Sequence, residues 1–148
     1  MFKTVHVFLG TKTREKGLIE VVAAVIYVGK KILCLQRGIG KFEYTSLKYE
    51  FPGGKIESGE SPKDALRREI NEELGICIRI KEKLITLSHE YPDFSINMQC
   101  YICETDEFQG NLTEHVGYVL LQQSELDKLD WIEADKLIVR LLVGKSDD

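Results

Sequence analysis

Three glutamates at helical spacing near the middle of the chain are the residues best suited to chemistry. Glu69, Glu72 and Glu73 fall within one arc about 100° wide on a helix that turns about 100° per residue. Like charges at this spacing repel by roughly a few tenths of a kcal/mol per pair, so a bound cation explains the cluster better than a merely solvated helix. No His or Cys lies among them, and hard carboxylate oxygens favour Mg²⁺ or Mn²⁺ over Zn²⁺.

Capping residues predict the helix that carries these carboxylates. Ser61 is suited to the N-cap, Pro62 to the first helical position, and Gly75 to the C-cap. An apolar stripe beside the acidic face can anchor this helix on a core and so turn the carboxylates sideways; it consists of Leu66, Ile70 and Leu74.

A glycine pair precedes the helix. Gly53 and Gly54 let the backbone approach a ligand closely. The segment is not a phosphate-cradling P-loop, because the first required glycine is replaced by Tyr49 and Lys55 is followed by Ile56. Phosphates must therefore be bound through metal ions and side chains.

One spacing pattern covers this whole region. From Gly54 the chain runs through five residues, Glu60, seven residues, Arg68-Glu69-Ile70, one residue, Glu72-Glu73, one residue and Gly75-Ile76. A chance match in a chain of this size is on the order of one in ten million at average residue frequencies. The pattern resembles the complete Nudix box, the signature of the Nudix hydrolase family. Residues 50–57 and 91–93 look like the MutT branch, and residues 20–24 are similar to bacterial CTP pyrophosphohydrolases, with 8-oxo-dGTP diphosphatases as neighbours.

The resemblance implies a fold and a reaction. The fold class is α/β (α+β): the Nudix fold, an α/β/α sandwich with a curved mixed sheet, expected over residues 18–148 after an N-terminal extension or short strand at residues 1–17. The reaction is Mg²⁺-dependent hydrolysis of a nucleoside triphosphate to a monophosphate and pyrophosphate, with Mn²⁺ as an alternative metal. CTP, dCTP, a modified pyrimidine or an oxidised nucleotide is the expected substrate.

The resemblance also assigns metal and catalytic roles. The metal ligands it implies are the Gly53 carbonyl, Glu69, Glu72, Glu73 and Glu114. Either Glu69 or Glu114 is the general base, and Glu69 is favoured, with Glu114 as an auxiliary ligand. Arg68 is expected to orient Glu72 and Glu60 through charge-assisted hydrogen bonds.

Substrate contacts follow from residue type and position. Arg37 and Lys55 are candidates for the phosphates, and Phe51 or Tyr91 for stacking on the base, although such rings are commonly core residues. Asp135 is the candidate for the base edge, with a helix N-cap as the alternative; an ionised aspartate accepts hydrogen bonds and suits the N4 amino group of cytosine. Phe94 replaces an arginine of MutT and argues against 8-oxo-dGTP.

The length, charge and composition of the chain limit the kinds of partner that it can bind. A chain of 148 residues suits one domain, and its formal charge of −4 without a basic run argues against binding a nucleic-acid polymer. No apolar segment approaches the roughly 20 residues that cross a bilayer, so no membrane association is expected. Four cysteines without a framework spacing favour free thiols in the cytoplasm. The expected partner is a small nucleotide bound by a monomer or homodimer.

Two other functions stay open. One is hydrolysis of ADP-ribose or another nucleoside diphosphate linked to a second group, although the short chain has no added domain for a second ribose. The other is a non-catalytic Nudix module that senses nucleotides. Strands are predicted at 19–28, 32–36, 76–80, 84–88, 95–104 and 116–121, and a terminal helix at 134–143.

Overall fold

The computed structural model of the chain describes residues 6–8 and 17–144. Within them the strands are β1 His6–Phe8, β2 Leu18–Val28, β3 Lys31–Gln36, β4 Tyr49–Glu50, β5 Gly53–Lys55, β6 Arg79–Glu90, β7 Ser95–Thr105 and β8 Gly117–Leu121. The helices are α1 Pro62–Leu74 and α2 Lys136–Gly144, with 3-10 turns at Gln123–Lys128 and Glu133–Asp135. Of the proposed N-terminal extension, residues 1–5 and 9–16 lie outside the described residues, so the boundary near residue 17 stays a prediction.

The sheet is mixed and is organised around β2. Strand β2 pairs in parallel with β7 along its whole length, β7 pairs antiparallel with β6, and β6 pairs in parallel with β1. On its other edge β2 pairs with β3 only at Tyr27 and Val28, and with β5 from Val21 to Ala23. Beyond the hairpin β3 pairs with β4 and β8 instead, so β2 and β3 diverge.

Both faces of the sheet are covered by a helix. In β2, Val22, Ala24 and Ile26 pack in the cluster that contains the apolar stripe of α1. Ala23 and Val25 point to the opposite face, in the cluster that contains α2. Because a strand alternates its side chains between faces, a strand buried on both faces needs a nearly continuous apolar sequence. The α/β/α sandwich with a mixed sheet is thus confirmed.

Some predicted boundaries were wrong. The segments predicted at 76–80 and 84–88 are not two strands: residues 79–80 and 84–88 lie in one strand, β6, and residues 76–78 precede it. The register of β6 with β7 shifts between Ile80 and Glu82 and again between Lys83 and Ile85. Such bulges interrupt the alternation of buried side chains, so the sequence pattern breaks where the strand does not. The terminal helix begins at Lys136 rather than at 134, because a 3-10 turn precedes it.

The structure shows the state of the cysteines and the length of the helices. All four cysteines are free, and three are buried while Cys77 is exposed. In the part of the chain that the structure describes, each helix is too short or too polar to cross a membrane.

Candidate active site

A cleft of about 1110 Å³ lies beside β2 and β5, at the end of the sheet where β3 has diverged from β2. Its lining includes two groups of side chains. The first, the carboxylate group, consists of Glu50, Glu69, Glu73 and Glu114. The second, the aromatic group, consists of Phe42, Tyr91 and Phe94, and Asp135 lines the same cleft. A molecule with a charged part and a flat apolar part can therefore contact both groups at once.

Helix α1 is fixed at both ends as the sequence predicts. The Ser61 hydroxyl accepts a hydrogen bond from the Asp64 N–H at 3.1 Å, and Pro62 occupies the first turn. Gly75 ends the helix with φ 67°, and its N–H donates to the Asn71 carbonyl at 2.9 Å. With both ends defined and the apolar stripe buried, the rotation of the helix and the direction of its glutamates are set.

Glu69 is packed against the glycine loop. A Cβ atom on Gly54 would overlap the Glu69 carboxylate, so the loop backbone lies directly against that side chain. Arg68 Nη1 donates to Glu69 Oε2 at 3.1 Å. Burial raises the pKa of Glu69, the hydrogen bond from Arg68 opposes the rise, and the charges of Glu72 and Glu114 add to it.

Glu73 is the most buried carboxylate of the cleft, with 7% of its surface exposed. Its Oε1 is buried without a hydrogen-bond partner in the structure. Burial, followed by the charges of Glu50, Glu69 and Glu114, raises the pKa of Glu73 to about 8, against a backbone hydrogen bond from Gly53. A buried oxygen without a donor beside three other carboxylates is the environment that a divalent cation would relieve.

The carboxylate group fits a hard divalent ion by its chemistry. Its donors are carboxylate oxygens, which suit Mg²⁺ or Mn²⁺, and the buried oxygen of Glu73 supplies an unpaired ligand. Among residues 17–144 no three His, Cys, Asp or Glu side chains are already close enough together to enclose an ion. Metal binding would therefore require these side chains to reorient toward one ion.

Arg68 is the hub of the charge network beside the cleft. Its Nε donates to Glu60 Oε2 at 2.6 Å and its Nη2 to the Lys55 carbonyl at 2.9 Å. Its Nη1 lies 3.2 Å from Glu72 Oε1. The hydrogen bond from Arg68 lowers the pKa of Glu60. Arg68 thus connects the glycine loop to α1. It contacts Glu60 and Glu72, the two residues that it was expected to orient.

The other candidates for metal binding differ in placement. The Glu72 side chain is 58% exposed and lies beside the cleft, bonded to Arg68, rather than in its lining. Glu114 reaches the cleft from the connection between β7 and β8. Gly53 lies in β5, paired with Ala23. The structure therefore brings Glu69, Glu73, Glu114 and Gly53 together and leaves Glu72 at the edge.

The candidate substrate-binding residues fall into two sets, charged residues that line the cleft and aromatic residues that are wholly or partly buried. Arg37 and Lys55 both line the cleft, and Arg37 Nη1 lies 3.2 Å from Glu50 Oε1. Phe51 is buried and stacks on Trp131 at 4.5 Å, so most of its ring belongs to the core. Tyr91 is also buried, and its hydroxyl accepts a hydrogen bond from the Ala134 N–H at 2.9 Å. Phe94 is half-buried and packs between other rings of the aromatic group.

The Asp135 side chain does not act as the N-cap of the last helix, which was the alternative role for this residue. Its Oδ2 accepts a hydrogen bond from the backbone N–H of Phe51, 84 residues away, at 2.9 Å. Burial raises the pKa of Asp135 to about 8, with the charge of Glu50 adding to the shift. The side chain thus ties the start of α2 to the strand connection that precedes the glycine loop.

Among the cleft residues that the sequence does not single out are Phe42, Glu50 and His115. Glu50 Oε2 lies 2.8 Å from His115 Nε2, and the two residues are 65 positions apart. Phe42 packs against Phe94 across the cleft with a ring separation of 5.7 Å. Contacts of this range leave no periodic pattern in a single sequence; for Glu50, the sequence signal is its place in residues 50–57, the segment that resembles the MutT branch.

A helix that presents carboxylates after a glycine loop, on one face of a mixed sheet and beside a cleft, defines a class of α/β/α sandwich hydrolases. Residues 17–147 match the family model of the NUDIX domain, which is most of the chain. The chain belongs to the Nudix family and is a Nudix hydrolase. Members of this family generally use divalent metal ions and act on small nucleotide substrates.

Relatives and solved structures agree with this membership. The 8-oxo-dGTP diphosphatase of Haemophilus influenzae is 36% identical over 132 residues, 86% of this chain and 94% of that protein. The CTP pyrophosphohydrolase of Escherichia coli K12 is 35% identical over 114 residues, 77% of this chain and 82% of that protein. The solution structure of a MutT protein from methicillin-resistant Staphylococcus aureus 252 is 41% identical, covers 88% of this chain and 99% of that chain, and gives a TM-score of 0.69.

Two buried carboxyls make the stability of the metal-free protein depend on pH. The pKa of Glu73 and that of Asp135 are raised from 4.5 and 3.8 to about 8. The folded state therefore holds these protons more tightly than the unfolded state, and this stabilisation is lost as pH rises toward 8. We expect the free energy of unfolding to fall between pH 5 and 8, by at most about 1.4 kcal/mol per pH unit for each carboxyl.

Urea unfolding in the presence of EDTA measures this dependence. Glu73→Gln and Asp135→Asn should each flatten the slope, and Glu107→Gln, at an exposed position, should leave it unchanged. A slope that stays the same in both cleft variants would contradict the assignment of the two raised pKa values.

Proposed function

We propose that this Nudix hydrolase is a divalent-metal-dependent nucleoside triphosphate pyrophosphohydrolase that releases a nucleoside monophosphate and pyrophosphate. The observation that carries the proposal is the cleft lined by both the carboxylate group and the aromatic group. The names of two relatives, a CTP pyrophosphohydrolase and an 8-oxo-dGTP diphosphatase, support the same class of substrate. Membership in a family of enzymes disfavours the non-catalytic sensing module.

Glu69, Glu73 and Glu114, with the Gly53 carbonyl and Glu72 at the edge, would hold Mg²⁺ or Mn²⁺. When bound there, such an ion would supply charge neutralisation of the phosphate oxygens and a lower pKa for the attacking water. The chain supplies the remaining functions. Arg37 and Lys55, both in the lining of the cleft, bind the phosphate oxygens, and Arg68 keeps the glycine loop and α1 in register.

Glu69 accepts the proton of the attacking water in this proposal, and Glu114 is an auxiliary ligand. The immediate surroundings of Glu69 support this assignment. Glu69 lies against the backbone of Gly54 and burial raises its pKa, so it accepts a proton more readily than an exposed glutamate does. Glu114 is exposed and comes from a loop rather than from α1.

Base selection is assigned to Asp135, with the aromatic group beside it. Sequence reasoning treats this aspartate as ionised and therefore as an acceptor only. With its pKa raised to about 8 by burial, the carboxyl carries a proton at neutral pH, so it donates as well as accepts. A neutral acid matches the N3 and N4 amino edge of cytosine, and it matches equally the N7–H and O6 edge of 8-oxoguanine. A protonated Asp135 is therefore compatible with both cytosine and oxidised guanine.

A nucleotide panel tests the proposal. CTP, dCTP, 5-methyl-dCTP, dGTP, 8-oxo-dGTP and ADP-ribose are incubated with Mg²⁺, and the products are separated. We expect pyrophosphate and a monophosphate from at least one triphosphate, and loss of this activity in the Glu72→Gln/Glu73→Gln double variant. Asp135→Asn should change the ratio of kcat/KM between the cytidine and 8-oxoguanine nucleotides about 10-fold or more, because one base-edge contact contributes about 1–3 kcal/mol of discrimination.

The outcomes separate the alternatives. Cleavage of ADP-ribose alone would overturn the triphosphate proposal in favour of a hydrolase for diphosphate-linked compounds. An unchanged preference in Asp135→Asn, with turnover intact, would remove Asp135 from base selection while leaving the reaction class in place.

A further inference from the structure

The segment that carries Glu114 is fastened on both sides of that residue. Thr113 is bonded to the end of α1, and His115 is bonded to β4. We infer that Thr113 and His115 are positioning residues that hold Glu114 against the carboxylates of α1. The inference rests on the proposed function, because it assumes that Glu114 contributes to the metal centre.

The first attachment uses the carboxyl end of α1. The last four carbonyls of a helix have no partner within it, and the Glu72 and Glu73 carbonyls belong to this set in α1. The Thr113 N–H donates to the Glu73 carbonyl at 3.3 Å. Its hydroxyl lies 3.3 Å from the same carbonyl and 3.4 Å from that of Glu72. One residue thus satisfies the carbonyls of two proposed metal ligands and lies next to a third.

The second attachment uses the sheet. The His115 side chain is 5% exposed, and its Nε2 lies 2.8 Å from Glu50 Oε2. Arg37 contacts the other oxygen of Glu50 at 3.2 Å, which holds that carboxylate in place. The next residue, Val116, donates its N–H to the Gln36 carbonyl at 3.0 Å. The chain on the far side of Glu114 is therefore tied to β3 and β4 through both side chain and backbone.

Glu114 itself is exposed, so its own surroundings do little to fix it. It nevertheless lines the same cleft as Glu69 and Glu73 of α1. An exposed carboxylate on a loop normally samples many directions, and ordering it against a metal would oppose binding. Because its two neighbours are fastened before any metal binds, the loop is already close to the bound arrangement.

Titration of the purified protein with Mn²⁺ by calorimetry, and turnover against Mg²⁺ concentration, test the inference. Thr113→Val keeps the shape of the side chain and removes the hydroxyl. We expect it to raise the Kd for Mn²⁺ and the half-saturating Mg²⁺ concentration about 10-fold, as for other groups that orient metal ligands. Thr113→Ser, which keeps the hydroxyl, should stay within about 2-fold of the wild type. His115→Phe should weaken metal binding in the same direction.

Thr105→Val is the matched control. The Thr105 hydroxyl also donates to a backbone carbonyl, that of Cys77, at 3.2 Å, and Thr105 lies outside the cleft. This control should leave the Kd for Mn²⁺ unchanged even if it lowers the thermal midpoint as much as Thr113→Val does. Equal effects of the two variants on the Kd would overturn the inference.

A double-variant cycle separates positioning of Glu114 from a general effect on α1. In a Glu114→Gln background, Thr113→Val should add less than about 2-fold to the Kd, because its effect is transmitted through Glu114. A full additional 10-fold loss would overturn the inference. Failure of the proposed function looks different: the wild type would bind Mn²⁺ and respond to Thr113→Val, yet would hydrolyse no triphosphate on the panel.

Discussion

Replacing Glu69 by glutamine is expected to lower kcat by about 10³-fold, the middle of the range for loss of a general base. Glutamine keeps the size of the side chain but can neither accept the proton of water nor supply an anionic ligand. Glu114→Gln is expected to lower kcat only about 10-fold at saturating Mg²⁺ and to act mainly on metal affinity, as a ligand replaced on a loop should. Pyrophosphate release at a series of Mg²⁺ concentrations separates the two effects.

The difference between these two variants identifies the general base. Glu107→Gln, at an exposed position, is the control for a change of one charge and should leave both quantities near their wild-type values. If Glu69→Gln keeps near-normal turnover at saturating Mg²⁺ while Glu114→Gln loses it, the general base is Glu114. Far-ultraviolet circular dichroism of each variant checks that the loss is not a loss of fold.

The parts of the site that depend on neighbours in sequence could be predicted. Ser61, Pro62 and Gly75 determine where α1 begins and ends, and each acts within one helical turn of itself. The apolar stripe of α1 then fixes which face is buried, and this in turn places Glu69 and Glu73 toward the cleft. Helix, stripe and acidic face are all local features, so the sequence contains them in full.

Contacts between distant segments could not be predicted in the same way. Thr113 meets α1 across 40 residues, and Glu50 meets His115 across 65. Periodicity predicts neither contact. Both contacts depend on how β2 and β3 diverge and on the path of the loop between β7 and β8. Burial is equally non-local: the pKa of Asp135 is raised because the folded core buries its carboxyl, and Phe51, from whose backbone N–H it accepts a hydrogen bond, lies 84 residues away.

Alanine is expected to affect stability at Gly53 and turnover at Gly54. A Cβ on Gly53 would overlap the Val22 carbonyl and lie 2.8 Å from the Ala23 Cα, both backbone atoms of the central strand. Backbone cannot move aside cheaply, so Gly53→Ala should lower the free energy of unfolding by about 1–3 kcal/mol, as overpacking does. Urea unfolding measures the loss, and Gly40→Ala, at a position with open space, is the control.

Gly54→Ala meets a side chain instead of backbone. The three atoms nearest to its Cβ would all belong to the carboxylate end of Glu69, and that flexible end can move aside. Stability should therefore change by less than about 1 kcal/mol. Turnover should fall about 10²-fold, since a displacement of about 1 Å at a reacting group has an effect of this size. Full activity in Gly54→Ala would mean that Glu69 can leave its observed place without consequence, and the base would have to be sought in Glu114. A stable but inactive Gly53→Ala would instead point to the Gly53 carbonyl as an essential ligand.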